Sequence, residues 1–180
     1  MTKSTGNVLF ELDGTPALQL YKSYLGDEAE GLPGAALLYP LLLTDPENMS
    51  HTVVRTILAV DDVNAAMTFA GDMPEGWSAQ LMRGNFDRLA EGAAEAASAA
   101  MKAQPRTRSD VAAILISCVG RRILMGENII DEVLATQAAL GPDVHAIGFY
   151  SYGEIAPHAV SGFCELHNQT MTVTTFAEAL

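Results

Sequence analysis

The stretch VAAILISCVGRRILMGENIIDEVLATQAALGPDVHAIGFY, residues 111–150, decides the fold. Its first nine residues are continuously apolar, which is typical of a strand buried on both faces. After GRR a helical pattern follows, is interrupted at Gly126, and resumes until a Gly-Pro pair stops it. VHAIGFY, residues 144–150, has the composition of a second strand. The order predicts a β-α-β unit whose two strands are parallel neighbours.

The helical pattern between these strands rests on apolar residues at helical spacing. They are Ile123 and Leu124 before the interruption, and Ile129, Ile130, Val133, Leu134 and Ala138 after it.

Upstream, residues 7–12 predict a strand, and Thr15 and Pro16 predict the N-cap and first turn of a short helix. Between residues 35 and 83, short apolar runs alternate with turn residues, which indicates an antiparallel meander. ALLYPLL is the first of these runs, and Pro40 predicts that it forms an edge strand because proline has no N–H to donate.

Asn85 predicts the N-cap of a long helix that runs to about Ala103, before Pro105 and a basic loop containing Arg106 and Arg108. TMTVTTF, residues 170–176, predicts a last strand. The predicted fold class is α/β (α+β mixed): residues 1–180 form a single domain with a mixed β-sheet, an antiparallel meander, one β-α-β unit and helices packed on the sheet.

Composition and charge narrow the function classes. The chain has 180 residues, 49% of them hydrophobic, and a formal net charge of −12, which disfavours nucleic acid and anionic membranes as partners. No apolar run reaches the roughly 20 residues that a membrane span needs, and the N-terminus does not resemble a secretory signal. A cytoplasmic location is therefore expected. The cysteines Cys118 and Cys164 have no metal-ligand spacing and are expected to be free thiols.

Candidate binding residues follow the strands of the β-α-β unit, because ligands gather beyond the carboxyl ends of parallel strands. Ser117, Cys118, Gly120, Arg121 and Arg122 follow the first strand, and Tyr150, Ser151, Tyr152, Gly153 and Glu154 follow the second.

Each candidate group has an alternative interpretation. Arg121 and Arg122 are assigned to anion attraction, or else to surface salt bridges. Ser151, Tyr152 and Glu154, with Gly153, are assigned to polar recognition, or else to a strand end whose tyrosine ring packs in the core. His167 and Asn168 are assigned to the rim of the same cleft, or else to a polar turn that caps local backbone.

Catalytic and metal motifs are scarce. The sequence has no GxSxG, HExxH, P-loop or GxGxxG motif. Cys118 at a helix start beside arginines is expected to have a lowered pKa, and with His167 as base it is the alternative of a cysteine-dependent enzyme. An inert buried thiol is the commoner state. No metal site is predicted from His51, His145, His158 and His167, although haem needs only one axial histidine.

Several longer segments carry a resemblance in the same order as in a known family. They are NVLFELDGTPALQLYKSYLG, PLLL, VVRTILAVDD, FAGDMPEGWSAQLMRGNFDRLAEGA, ISCVGRRILMG, GFYSYGEIAP and LHNQTMTVTTF. The chain resembles the FIST C-terminal domain, the second half of the FIST sensory proteins, over nearly its whole length.

The resemblance implies a ligand-binding sensory domain of an intracellular signal-transduction protein, with a small molecule such as an amino acid or a derivative as ligand. It implies binding rather than catalysis, no resident cofactor, and haem-based nitric oxide sensing as an alternative. It also implies partners: a FIST N-terminal half, a downstream signalling protein, or a second copy of the chain. Only six residues precede NVLFELDG, so the N-terminal half is expected to be absent and the chain to be an excised domain or a natural half. A pocket shared between halves would then bind poorly here.

Overall fold

The structure is a computed structural model that describes residues 1–103, 110–158 and 162–178. The predicted basic loop with Arg106 and Arg108, and Pro105 before it, lie outside the described residues.

The first half of the chain is built mainly from short strands. Their bounds, with those of the first helix, are β1 Lys3–Thr5, β2 Val8–Leu12, β3 Thr15–Pro16, α1 Ala17–Leu25, β4 Leu41–Thr44, β5 Thr52–Arg55, β6 Ile57–Asp61, β7 Ala66–Phe69 and β8 Ser78–Leu81.

The second half alternates helices and longer strands. Their bounds are α2 Phe86–Ala103, β9 Val111–Cys118, α3 Val119–Met125, α4 Ile129–Leu140, β10 Val144–Ser151, β11 Glu154–Pro157, β12 Cys164–His167 and β13 Met171–Ala177. Short 3-10 helices cover Gly26–Gly31, Gly34–Leu38 and Gly126–Asn128.

The chain forms two compact units. Unit 1 comprises Met1–Gly84 and Ile155–Asn168, and unit 2 comprises Asn85–Glu154 and Gln169–Leu180.

Two sheets of unit 1 are antiparallel. One sheet has the order β1-β2-β7-β6 with β3 paired to β2, and another has the order β5-β4-β8. Large apolar side chains fill its core, and those that are almost completely buried include Leu9, Leu18, Leu43, Met67 and Phe69. The predicted antiparallel pairing of this region is confirmed, but its strands are divided between two sheets, because HTVVRTILAV forms β5 in one sheet and β6 in the other.

Unit 2 contains the predicted β-α-β unit. β9 pairs in parallel with β10 and antiparallel with β13, which gives a mixed three-stranded sheet in the order β10-β9-β13. α2 packs against α4 and β13, and its first turn is capped by Asn85, whose Oδ1 accepts from the N–H of Arg88 at 3.2 Å. The long helix, the last strand and the interruption at Gly126 are confirmed.

Two details at proline residues were predicted wrongly. α1 begins at Ala17, so Pro16 holds the cap position and no side chain caps the helix. Pro40 lies before β4, which is the central strand between β5 and β8 and not an edge strand. Because the proline is outside the ladder, its missing N–H costs the sheet nothing, and its carbonyl accepts from the N–H of Met82.

The prediction that β9 is buried on both faces was also wrong. Ala113 and Ser117 are buried, whereas Ala112 and Ile114, on the other face, are exposed. Successive residues of a strand point to opposite faces, so one face of this sheet carries the helices. The other face is exposed at Ala112 and Ile114, half-buried at Ile116 and buried at Cys118.

Candidate functional site

Unit 2 contains a cavity of about 470 Å³. It is lined by residues of the β-α-β unit and of β13, namely Leu115, Ser117, Arg122, Val133, Gln137, Ala146, Ile147, Gly148, Phe149, Tyr150 and Met171.

The strand register explains why this space exists. Ala146, Gly148 and Tyr150 pair with Ala113, Leu115 and Ser117 of β9 and therefore share the face that carries the helices. Of the four β10 residues on this face, which also include Val144, two are very small. The strand consequently leaves room beside α4, whose Val133 and Gln137 also line the cavity, and the lining continues around β10 to Ile147 and Phe149 of the other face.

Gly148 is required here by close approach rather than by a special backbone angle. A Cβ at this position would lie 2.4 Å from the carbonyl oxygen of Leu115 and 2.8 Å from its Cβ. Neither atom belongs to the flexible end of a side chain. The first glycine of GFYSYGEI thus allows β10 to pair with β9 and leaves the floor of the cavity open.

Arg122 supplies the cavity's positive charge. Its guanidinium lies over the ring of Tyr150, 5.0 Å from the ring centroid. Among the described residues no carboxylate lies within ion-pairing distance of it. Burial raises the pKa of Tyr150, and the charge of Glu132 adds to this effect while Arg122 opposes it. The phenol therefore stays protonated at neutral pH and offers a hydrogen-bond donor.

Arg121, next along the chain, has different surroundings. It is only 4% exposed, and its Nε donates to Glu132 Oε1 at 3.2 Å. Its other nitrogens donate to the backbone carbonyls of Leu89 and Gln169. Ser117 Oγ also donates to Glu132 Oε1, at 2.6 Å. The guanidinium thus binds groups inside unit 2. Its assignment to a ligand stays a prediction, and a ligand would have to compete with Glu132 for it.

The SYGE segment forms a local hydrogen-bonded turn. Ser151 Oγ lies 2.6 Å from Glu154 Oε1 and 3.2 Å from the carbonyl oxygen of Gly153. Tyr152 is 89% exposed, whereas Glu154 is buried. Burial raises the pKa of Glu154, against the opposing effects of Ser151, the Thr170 backbone and Arg121. None of these four residues of the segment is among those that line the cavity.

His167 and Asn168 belong to unit 1. The ring Nε2 of His167 lies 2.9 Å from the carbonyl oxygen of Ala156, and Asn168 Oδ1 accepts from the N–H of Thr56 at 3.3 Å. Both side chains contact backbone that is distant in the chain, 11 and 112 residues away, so these contacts are not the local caps of the alternative interpretation. Their assignment to a cleft rim shared with the residues after β9 and β10 stays a prediction.

The surroundings of Cys118 correct one expectation. The thiol is buried, and burial together with the charge of Glu154 raises its pKa, where the sequence predicted a lowered one. A thiol with a raised pKa forms little thiolate at neutral pH and is a weaker nucleophile. Cys118 and Cys164 are both free thiols, as expected, and Cys164 is exposed.

Histidines do not gather at the cavity. In the part of the chain that the structure describes, no group of three or more His, Cys, Asp or Glu residues is arranged to hold a metal ion. His51, in unit 1, lies 2.9 Å from Glu165 Oε1 and 3.5 Å from Asp45 Oδ2, and its ring meets the edge of Trp77. The rings of His158 and His167 are stacked, with centroids 6.2 Å apart.

Sequence reasoning missed the residues of α4 that matter most. The inward face of this helix carries Glu132, Thr136 and Leu140, all buried, while Ile130 and Leu134 are 55% exposed. The spacing of four residues between Glu132, Thr136 and Leu140 was a readable signal, but the apolar side chains masked it. Gly148 within a strand was the other available signal, since glycine there often marks close approach.

A comparison with protein families assigns the chain. The family model of the FIST C domain matches residues 17–157. The chain belongs to the FIST C domain family. This membership places it among sensory and signal-transduction domains, in agreement with the resemblance found in its sequence. No curated protein and no solved structure matches the chain significantly.

No helix in the described residues is both long and apolar enough to cross a membrane.

Proposed function

We propose that this FIST C domain is the ligand-binding part of a cytoplasmic sensor, and that its small-molecule ligand occupies the cavity of unit 2. The observation that carries this proposal is the cavity itself. Its volume of about 470 Å³ lies within the range of roughly 300–1,000 Å³ that is usual for ligand pockets. Apolar side chains with a few polar groups, here Arg122, Tyr150 and Ser117, form the lining that such pockets have.

The ligand is of the size of an amino acid or one of its derivatives. Leu115, Val133 and Met171 offer apolar contact, and Gln137 adds an amide to the polar groups. Binding to the folded state stabilises it, and a ligand at about 100 times its Kd adds roughly 2.7 kcal/mol to the free energy of unfolding. A sensor would use this free energy to shift a conformational or association equilibrium.

A thermal-shift screen of the whole chain against amino acids, their derivatives and other small metabolites tests the proposal. A ligand at that saturation should raise Tm by on the order of 5 °C. The variant Val133→Trp places a large ring in the cavity lining and should abolish the shift. Leu134→Trp, on the exposed neighbouring position of α4, should retain it. Hits that survive equally in both variants, or a flat screen of folded protein, would contradict the proposal.

A second candidate function is that of a protein-interaction module, and the open face of the unit 2 sheet favours it. Ile114, Ile147, Phe149 and Phe176 lie on this face, opposite the helices, and all four are exposed. Contiguous exposed apolar side chains are a common mark of interfaces. The partner in this proposal is a FIST N-terminal half, a downstream signalling protein or a second copy of the chain.

Sedimentation velocity over a concentration series, alone and with a separately produced FIST N-terminal half, distinguishes these partners. Phe176→Lys, on the open face and outside the cavity lining, should abolish the association, whereas Tyr24→Lys, at an exposed aromatic residue of unit 1, should not. A mass that stays monomeric in every mixture would remove this candidate.

The haem alternative has no histidine among the described residues that line the cavity. His51 is engaged by two carboxylates, and His167 Nε2 by a backbone carbonyl. The proposal is therefore binding of a small molecule without a resident cofactor. A Soret band on haem titration that disappears in one His→Ala variant would contradict it.

Non-catalytic binding is also part of the proposal, and the raised pKa of Cys118 supports it. Labelling by iodoacetamide at neutral pH should be slow at Cys118 and faster at the exposed Cys164, resolved by peptide mass spectrometry. Rapid labelling of Cys118 would revive the cysteine-dependent enzyme.

A further inference from the structure

Resting on the proposed function, we propose that the ligand of the unit 2 cavity is an amphipathic monocarboxylate that carries no ammonium group. Its carboxylate binds Arg122, and its short apolar body lies against Leu115, Val133 and Met171.

Two adjacent arginines have contrasting surroundings. Arg121 is buried and donates to Glu132 and to two backbone carbonyls, so its hydrogen-bonding capacity is used within unit 2. Arg122 lines the cavity, and no carboxylate of the described residues pairs with it. Arg122 is exposed, and other described arginines such as Arg88 also lack an acidic partner, but Arg122 is the one among them that lines the cavity. Its guanidinium can therefore attract an anion to this place in a chain of net charge −12.

The guanidinium of Arg122 has an aromatic neighbour. It lies over the Tyr150 ring, 5.0 Å from the centroid. A cation–π contact of this kind restrains the position of the guanidinium beside the ring and leaves its N–H groups able to donate elsewhere. A carboxylate can then accept two parallel hydrogen bonds from one edge, and the phenol of Tyr150 offers a further donor close by.

The charge of the cavity lining is one-sided. Among its described lining residues none is acidic. The buried Glu132 is not part of the lining, and its Oε1 already accepts from Arg121 and Ser117. Most of the lining is exposed, so a bound ammonium group would stay partly hydrated, but it would lie near the positive charge of Arg122 with no counter-charge in the lining. The cavity therefore favours the carboxylate that lacks the amine over the corresponding zwitterion.

The remaining wall is apolar and suits a hydrocarbon body. Leu115 and Met171 lie on the same face of neighbouring strands, and Val133 faces them from α4. Ala146 and Gly148 add little bulk to the floor. Each methylene that such a body buries adds favourable transfer free energy, whereas a second polar group would have few partners.

The experiment uses two sets of compounds that share a body and differ in the head group. One set is 3-phenylpropionate, L-phenylalanine, 3-phenylpropylamine and 3-phenylpropan-1-ol, and the other is hexanoate, norleucine, hexylamine and hexanol. Calorimetric titration of the whole chain at pH 7 should show at least one carboxylate binding about tenfold or more tightly than its amine, alcohol and amino acid counterparts.

Three variants locate the head group. Arg122→Gln should abolish the preference for the carboxylate, and Arg122→Lys should retain part of it, because lysine keeps the charge but loses the planar fork. Arg88→Gln is the matched control, since it removes the same charge from an exposed position of α2 in the same unit. It should leave the affinities unchanged.

The outcomes separate this inference from the proposed function. If a zwitterion or alcohol binds as tightly as its carboxylate, or if Arg122→Gln leaves the preference intact, the ligand class is overturned. Hits of the broad screen that Val133→Trp blocks but Arg122→Gln does not would leave the cavity as a small-molecule site with another ligand. No binding of any compound in either test to folded protein would overturn both.

Discussion

Each unit buries an arginine, and the two units satisfy the buried guanidinium with different groups. Arg55 of unit 1 donates to the backbone carbonyls of Asp72 and Leu166, beside a core of large apolar side chains. Arg121 of unit 2 pairs with the buried carboxylate of Glu132, and the buried core beside it consists of Ala97, Ala113 and Leu140. Unit 1 is held mainly by apolar burial, whereas unit 2 combines small side chains with a buried ion pair.

This difference explains where the apolar surface of unit 2 lies. The inward face of α4 is occupied by Glu132 and Thr136, so the isoleucine and leucine of the same helix are exposed. Buried ion pairs contribute little net stability compared with packed hydrocarbon. Unit 2 thus keeps apolar side chains and a cavity on its surface, and both are features of binding modules.

The largest effect should come from removing a large side chain of the unit 1 core. Phe69→Ala deletes a fully buried ring and should lower the free energy of unfolding by about 3–5 kcal/mol, through lost burial and a residual cavity. Fluorescence of Trp77, the single tryptophan and a unit 1 residue, measures it during denaturant unfolding. Tyr24→Ala, at an exposed aromatic of the same unit, should cost under about 0.5 kcal/mol. If the two variants lost the same free energy of unfolding, unit 1 would not depend on its apolar core.

In unit 2 a charged residue should matter as much as that ring. Glu132→Ala leaves Arg121 buried without its carboxylate and should cost about 3–5 kcal/mol, whereas Asp131→Ala on the exposed side of α4 should cost little. Hydrogen exchange at β9 and β13 amides reports on this unit.

The double variant Arg121→Met with Glu132→Leu sharpens the comparison. Replacing the whole pair by apolar side chains should recover most of the loss, because no unpaired charge remains. Failure to recover would mean that Ser117 and the backbone carbonyls bound by Arg121 depend on the pair.

A smaller effect is expected at the floor of the cavity. Gly148→Ala brings a Cβ against the Leu115 carbonyl and should cost about 1–3 kcal/mol as β10 shifts from β9. Gly92→Ala, in α2 with nothing within 4 Å of the added Cβ, should instead stabilise by roughly 0.4–1 kcal/mol. Denaturant unfolding followed by far-UV circular dichroism compares the pair, and equal signs would refute the close approach.

The smallest effect is a pH dependence in unit 1. The hydrogen bond that His51 donates to Glu165, with a smaller contribution from Asp45, raises the pKa of His51. A raised pKa in the folded state means that this stabilisation is complete below the unfolded pKa of about 6.5 and is lost as pH rises through the folded value. NMR titration should show a His51 pKa above 6.5, and Glu165→Gln should lower it. The contribution should stay under about 1 kcal/mol, as for partly exposed pairs. An unchanged pKa in Glu165→Gln would exclude the pair.

Local signals in the sequence were sufficient for the elements and for the family. Asn85 predicted the start of α2 because its side chain can cap the first turn, and that hydrogen bond is present. The apolar strand, helix and second strand of residues 111–150 predicted the parallel pairing, because only a crossover helix returns the chain in the same direction. ELHNQT was open to two interpretations, and its side chains contact backbone and His51.

What the tertiary structure decided is which side chain of each element faces inward. Arg121 and Arg122 are adjacent residues of the same type, so the sequence does not distinguish them. Adjacent residues of a helix point about 100° apart, and therefore Arg121 contacts Glu132 whereas Arg122 lines the cavity. The buried guanidinium of Arg121 determines which face of α4 points inward. Leaving this charge without the Glu132 carboxylate would cost more free energy than leaving Ile130 exposed. The sequence alone determined the secondary structure, the topology of the β-α-β unit and the family, because these depend on local patterns. The cavity depended on distant residues meeting, which local patterns do not encode.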